Sequence, residues 1–211
     1  MRIGALAALL ATLGVSGVGA DSAGEFDYYV MSLSWSPNWC VLEGDHRDAE
    51  QCDPKHDFGW TLHGLWPQYE QGYPSDCPTA ARNPSRRETG AMADIMGSGG
   101  LAWYQWKKHG RCSGLSAQDY FALSRQAYES VERPAVLRGL GKPVTLPASV
   151  VEDAFIDANP DLSPDMLTVT CRSAHIQEVR ICLTRDLEPR ACSMDIRRDC
   201  SLSGAMLEPI R

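Results

Sequence analysis

From Phe26 to Trp35 apolar and smaller residues alternate, with Tyr29, Met31, Leu33 and Trp35 falling on one face of an extended segment. The pattern predicts a strand, closed by Pro37. Cys40 to His56 is polar and rich in turn formers, which predicts a disulfide-pinned loop. Phe58 to Leu65 predicts a second strand, followed by a loop of proline, glycine and tyrosine that reaches Cys77. The period then changes. Ser85-Arg86-Arg87-Glu88 has capping-box spacing ahead of Met92, Ile95 and Met96, and predicts a short helix that Gly97 to Gly100 breaks. Leu101 to His109 resumes a helical pattern, with Gly110 placed to end it as a C′ residue. On that helix Gln105 and His109 share one face, as do Tyr104 and Lys108, while Trp103 and Trp106 mark a separate core face.

Ser116 opens the clearest helix, whose stripe of Tyr120, Phe121, Leu123, Ala127, Tyr128 and Val131 runs until Pro134. Ser149 to Glu152 repeats the capping spacing before a shorter helix, Val150 to Ala158, which Asn159-Pro160 ends. Met166 to Val169 and Val179 to Leu183 read as strands among the last four cysteines. No internal repeat or linker interrupts the series. The order of elements predicts an α+β fold, an antiparallel sheet with several packed helices stapled by disulfides.

Composition adds a location. Arg2, the apolar run from Ile3 to Leu13 and the small residues Val18-Gly19-Ala20 predict a signal peptide over 1–20, which leaves 21–211 as one domain. No stretch is long and apolar enough to span a membrane, so a secreted or periplasmic monomer is expected. All eight cysteines (40, 52, 77, 112, 171, 182, 192 and 200) lie beyond the leader. An even count in an exported chain implies four disulfides, although eight cysteines allow about a hundred connectivities. Zinc is the competing use of cysteine, but no CxxC or HxH spacing occurs, and no metal or cofactor is expected. The formal net charge of −7 makes the chain a poor general binder of nucleic acid. Any RNA contact must be local, and Lys107, Lys108, His109 and Arg111 form the densest basic cluster.

Two stretches carry the candidate chemistry: WTLHGLWPQY from Trp60 to Tyr69, and WYQWKKHGRC from Trp103 to Cys112. Each places one histidine among tryptophans. A lone histidine is more often a satisfied core residue than a catalyst. Two that face one phosphate can make and break a P–O bond without a metal, each contributing on the order of 10² to 10⁴ in rate.

The two stretches resemble the two active-site segments of the ribonuclease T2 family of secreted, often acid-acting endoribonucleases. The first matches through Leu62-His63-Gly64-Leu65-Trp66-Pro67, the second from Trp106 to Cys112, and the family's usual His-Glu is replaced by Tyr104-Gln105. The resemblance implies bridges Cys40–Cys52, Cys77–Cys112, Cys171–Cys200 and Cys182–Cys192, the second tying the two segments together. It also implies that His109 takes the proton of a ribose 2′-hydroxyl, that His63 protonates the departing 5′-oxygen, and that Lys108 neutralises charge on the phosphate. Trp66 would stack on a base, as would Tyr73 less firmly. Both aromatic positions could instead serve packing, and Lys107 is the more solvated lysine.

Some family members carry, at the position of Gln68, an aspartate that reads adenine, and that preference does not transfer. Tyr104 keeps a hydrogen-bond donor without a charge, and Gln105 is a neutral isostere of the glutamate. The implied activity is metal-independent cleavage of single-stranded RNA through a 2′,3′-cyclic phosphate to 3′-phosphate ends, with low base specificity and with DNA spared. Two rivals stand beside it. One is a catalytically weakened member acting as a secreted RNA- or protein-binding module. The other is an interaction module in which the two segments never meet. His46, His56 and His175 lie outside the matched segments and read as surface or structural. No N-x-[ST] acceptor occurs, because Asn83 precedes Pro84, which favours a bacterial exported protein.

Overall fold

A computed structural model describes residues 21–211, so the expected signal peptide lies outside the described residues. The elements run β1 (Tyr28–Trp35), α1 (Ser36–Trp39), β2 (Trp60–Gln68), α2 (Arg86–Gly90), α3 (Ala93–Met96), α4 (Gly99–Lys108), α5 (Ala117–Ser130), α6 (Ala135–Arg138), β3 (Val144–Leu146), α7 (Ala148–Ala158), β4 (Leu167–Arg172), β5 (His175–Leu183) and β6 (Ala205–Leu207).

Strand β1 lies between β2 and β5, antiparallel to both, and β4 pairs with the far side of β5. The alternation in β1 sorts its two faces. Tyr29, Met31, Leu33 and Trp35 enter the main core, while Tyr28 and Val30 pack on the opposite face with the Cys182–Cys192 bridge. Helices α5 and α7 supply Tyr120, Phe121, Ala127, Val151 and Phe155 to the main core. A two-residue turn with Ser173 and Ala174 both at positive φ joins β4 to β5, the backbone that a tight hairpin requires.

The sheet is antiparallel as expected except at one join, where a single parallel pairing makes it mixed. Because Pro37 sits in the first turn of α1 and ends β1, the start of β5 is left unpaired on that side. Strand β6 fills the gap in parallel through His175 and Met206, and β3 pairs antiparallel with β6. Asn38 fastens this join, its amide donating to the carbonyls of Ile176 (2.6 Å) and Met206 (2.9 Å).

Other expectations need correction. Cys40–His56 is pinned by Cys40–Cys52 as expected, but its turns are helical: it continues α1 as a π-turn over Cys40–Gly44 and then as three short 3₁₀ turns. Polar residues with local caps, such as Asp53 accepting from the Lys55 backbone, fold as helical turns once Cys40–Cys52 closes them. Strand β2 starts later and runs further than expected, through Trp66-Pro67-Gln68; a proline fits there because β2 is an edge strand. Helix α4 begins at Gly99, since Ser98 caps it by accepting from the Leu101 backbone.

Gly110 follows the C-cap His109 and so ends the helix at C′ as expected, without a positive φ. It opens a 3₁₀ turn and needs its small size, because a Cβ there would come within 2.7 Å of Trp106 and 2.8 Å of Tyr120. Trp106 is fully buried as expected, whereas Trp103 is 41% exposed and leaves the core face to one tryptophan. The box at Ser85–Glu88 forms, but the one at Ser149 does not, because Pro147 already sets the entry of α7. The four disulfides join Cys40–Cys52, Cys77–Cys112, Cys171–Cys200 and Cys182–Cys192.

Candidate active site

Strand β2 carries the first histidine on an irregularity. Leu62 pairs with Leu33 and Gly64 with Ser32, so His63 is the extra residue of a bulge. The bulge resets parity along the strand: Trp60 and Leu62 face the core before it, Leu65 after it. His63, Trp66 and Gln68 consequently all face the same cleft, a combination that strict alternation forbids. Two tyrosines of α5 hold the strand's backbone, Tyr128 donating to the Trp60 carbonyl and Tyr120 to that of Leu65, each at 2.9 Å.

Helix α4 carries the second. His109 caps its C-terminus with its backbone N–H on the Gln105 carbonyl at 2.9 Å. Its ring is buried, Nδ1 has no partner among the described residues, and the Trp66 indole stacks on it at 5.3 Å. The other edge of the cleft is set by the loop after β2. Asp76 donates its backbone N–H to the Lys108 carbonyl (2.8 Å), the Cys77–Cys112 bridge follows, and Gly72 donates to Asp195 (2.7 Å). This brings Tyr73 to 6.0 Å from the His109 ring.

His63, Trp66, Gln68, Tyr73, Tyr104, Gln105, Lys108 and His109 thus line one cavity of about 350 Å³, together with Arg180 and Ile196. Trp66 lies between the histidines, with the His63 ring against it edge-on at 5.2 Å. The side chains of Tyr73 and Tyr104 are about half exposed, each with its ring centroid 6.0 Å from the Lys108 ammonium. The expected basic cluster divides: Lys107 faces solvent, and Arg111 turns away to donate to Asn83 at 3.0 Å. Gln105 is buried, and its Oε1 accepts the Trp66 indole N–H at 2.7 Å. Gly64 makes that contact possible, since a Cβ there would lie 2.3 Å from the indole nitrogen and 2.4 Å from the Gln105 oxygen.

Strand β5 adds two residues that the sequence reasoning missed. The Glu178 carboxylate, 2% exposed, lies 2.5 Å from His63 Nδ1 through one oxygen. Its other oxygen accepts from Arg180 Nε (2.9 Å) and Nη2 (2.7 Å). Alternation along Val179-Arg180-Ile181 was a usable signal, because it places two charged side chains on the face opposite the core run of Val179, Ile181 and Leu183.

The electrostatics separate the groups. Burial, then the Lys108 ammonium and His63, lower the His109 pKa from 6.5 to about 3, which keeps that imidazole neutral and able to accept a proton. Burial alone would raise Glu178, but the hydrogen bond and charge of His63 and the Arg180 guanidinium outweigh it and take the carboxyl from 4.5 to about 2. The cleft therefore pairs a neutral buried imidazole with a second one backed by a fixed negative charge.

A family model described as the Ribonuclease T2 family matches residues 26–192. The chain belongs to the ribonuclease T2 family. A ribonuclease of Aeromonas hydrophila is 44% identical over 115 residues, which cover 54% of this chain and 51% of that protein. A probable ribonuclease of Haemophilus influenzae is 33% identical over 56% of this chain and 47% of its own length. The matches to these two relatives thus span about half of their length. Ribonuclease I of Escherichia coli matches more fully, at 26% identity over 79% of this chain and 78% of its own. Among solved structures, an RNase-related protein from Calystegia sepium superposes with a TM-score of 0.70 at 20% identity, covering 89% of this chain and 99% of that one. RNase NT in complex with 5′-AMP gives 0.61 at 17% identity, over 88% and 98%. These two likenesses establish the fold. The two histidine-bearing segments come together in this chain.

Proposed function

We propose that this T2-family protein is a metal-independent endoribonuclease that acts by transesterification. The observation that carries the proposal is that His63 and His109 open onto one cleft, on either side of Trp66. His109, neutral down to about pH 3, takes the proton of the ribose 2′-hydroxyl. The 2′-oxygen forms a bond to phosphorus while the bond to the 5′-oxygen breaks, and His63 gives that oxygen its proton. Lys108 offsets the charge growing on the non-bridging oxygens. A base as weak as the free His109 gains strength once the phosphodiester anion is bound beside it, because nearby negative charge favours the imidazolium it must become. Water then opens the 2′,3′-cyclic phosphate with the roles reversed, leaving a 3′-phosphate.

DNA lacks the nucleophile and is spared. Trp66 and Tyr73 offer stacking surfaces that tolerate any base, each worth about 1–3 kcal/mol. Tyr104 and Gln105 add hydrogen-bonding groups at the cleft wall without adding charge. Export with cleavage of 1–20, a single unit over 21–211 and a monomeric state complete the proposal, and no described helix is long and apolar enough to cross a membrane.

Incubation with single-stranded RNA in EDTA, beside a DNA control, tests it. Cyclic and then 3′-phosphate ends, with intact DNA, are expected. Products ending in 5′-phosphate, or activity lost to the chelator, contradict the mechanism. Tight RNA binding without cleavage would assign the protein to the weakened, binding-only members of the family.

A further inference from the structure

The two histidine segments do not account for Glu178 and Arg180. Glu178 reaches His63 across 115 positions of sequence. Its backbone is held on both sides, facing Ser34 of β1 and Thr170 of β4. Its side chain is held as well: with both oxygens committed, one to His63 and one to the Arg180 clamp, the carboxylate has no second rotamer to visit without orphaning a buried charge. Arg180 in turn lies with its guanidinium 5.5 Å over the Trp66 ring, so the clamp extends to the aromatic wall of the cleft.

A fixed acceptor at Nδ1 decides what the other nitrogen can do. The carboxylate keeps a proton on Nδ1, so in the protonated ring Nε2–H is the donor that faces the cleft, and in the neutral ring Nε2 offers a lone pair. Those are the forms needed by an acid in the first step and by a base in the second. We propose that Glu178, clamped by Arg180, is the positioning residue of His63, and that it aligns the ring for proton transfer to the leaving oxygen. The inference rests on the assignment of His63 as the acid. In that step the P–O5′ bond breaks, the Nε2 proton passes to the 5′-oxygen, and the imidazole is left neutral with its remaining proton shared with Glu178.

The test compares two substrates whose leaving groups differ in their need for a proton: a ribodinucleotide, which expels a 5′-alkoxide, and a ribonucleoside 3′-(4-nitrophenyl phosphate), which expels a stable phenolate. His63→Ala is the reference and is expected to lose far more on the dinucleotide than on the aryl ester. Glu178→Gln should follow it in miniature, with kcat on the dinucleotide down about 10- to 100-fold and kcat on the aryl ester within about threefold of the parent, inside the range that a positioned acid supplies. A residue that only braces the fold would lower both substrates alike.

If Glu178→Gln unfolds at the assay temperature, Glu178→Asp carries the same comparison, since it keeps the charge but draws it back from Nδ1. Equal losses on both substrates, or none, overturn the positioning role while His63→Ala keeps its leaving-group dependence. If His63→Ala itself shows no such dependence, the acid assignment falls first and the inference falls with it.

Discussion

At the scale of single residues the cleft is defined by which charges are absent. Gln105 stands one helical turn before His109 and spends its oxygen on the Trp66 indole. The sequence alone suggests that a neutral residue here keeps His109 a base at low pH; in the structure burial is the larger cause, with Lys108 and His63 behind it. A Gln105→Glu change places an anion beside the buried ring and favours its protonated form, so the base is lost at a higher pH than in the parent. A glutamate can also donate to a phosphoryl oxygen only when protonated, whereas glutamine donates at any pH. We therefore expect the parent to hold activity from acid to neutrality, with a modest cost in maximal rate. The variant should have a narrower profile, losing its base sooner as pH falls and its donor as pH rises, and be weaker than the parent at pH 7. Measuring kcat against pH for both on one dinucleotide checks this; an unchanged profile, or a variant more active at pH 7, contradicts it.

At the scale of elements, what the sequence discloses depends on whether the cause is local. The alternation in β1, the Ser85 box and the Ser116 cap are short-range effects, and each appears in the fold as its pattern predicts. The bulge at His63 is not local. It exists because β1 and β2 differ by one residue between two fixed pairings, and no property of Leu62-His63-Gly64 announces the mismatch. Strands β3 and β6 have three residues each, too short for periodicity, and owe their existence to the unpaired start of β5. The site divides in the same way. The motif residues were legible because their spacing along β2 and α4 is set within each segment. For Glu178 and Arg180 alternation gives only the face, since a carboxylate in a strand gains meaning when the sheet brings it to a histidine 115 positions away.

At the scale of the molecule, the site makes the fold sensitive to acid. His109 binds its proton near pH 3 when folded and near 6.5 when unfolded, so between those values the unfolded chain takes up the proton and stability falls as pH drops. Glu178 shifts in the same direction for a different cause, its charged partners rather than burial, and acts with the same sign. Its carboxyl is lowered from 4.5 to about 2, so its contribution is present above 4.5 and is lost as pH falls toward 2. Urea unfolding at pH 7, 5.5 and 4 should show stability declining from pH 6.5 downward, and His109→Ala should flatten the part between 6.5 and 4.5 and leave below it only the shallower loss that Glu178 contributes. A parent whose stability is level between pH 6.5 and 4.5 would contradict the buried, neutral state assigned to His109.

The proposed mechanism requires two imidazoles to act on one phosphate. The direct measurement is turnover of a ribodinucleotide by the parent, His63→Ala and His109→Ala, with products resolved by phosphorus NMR and folding followed by thermal melting. Each variant should stay folded and lose on the order of 10² to 10⁴ in kcat, and the parent should show the 2′,3′-cyclic phosphate before the 3′-phosphate. Unchanged turnover in either folded variant would return that histidine to a structural role and contradict the account.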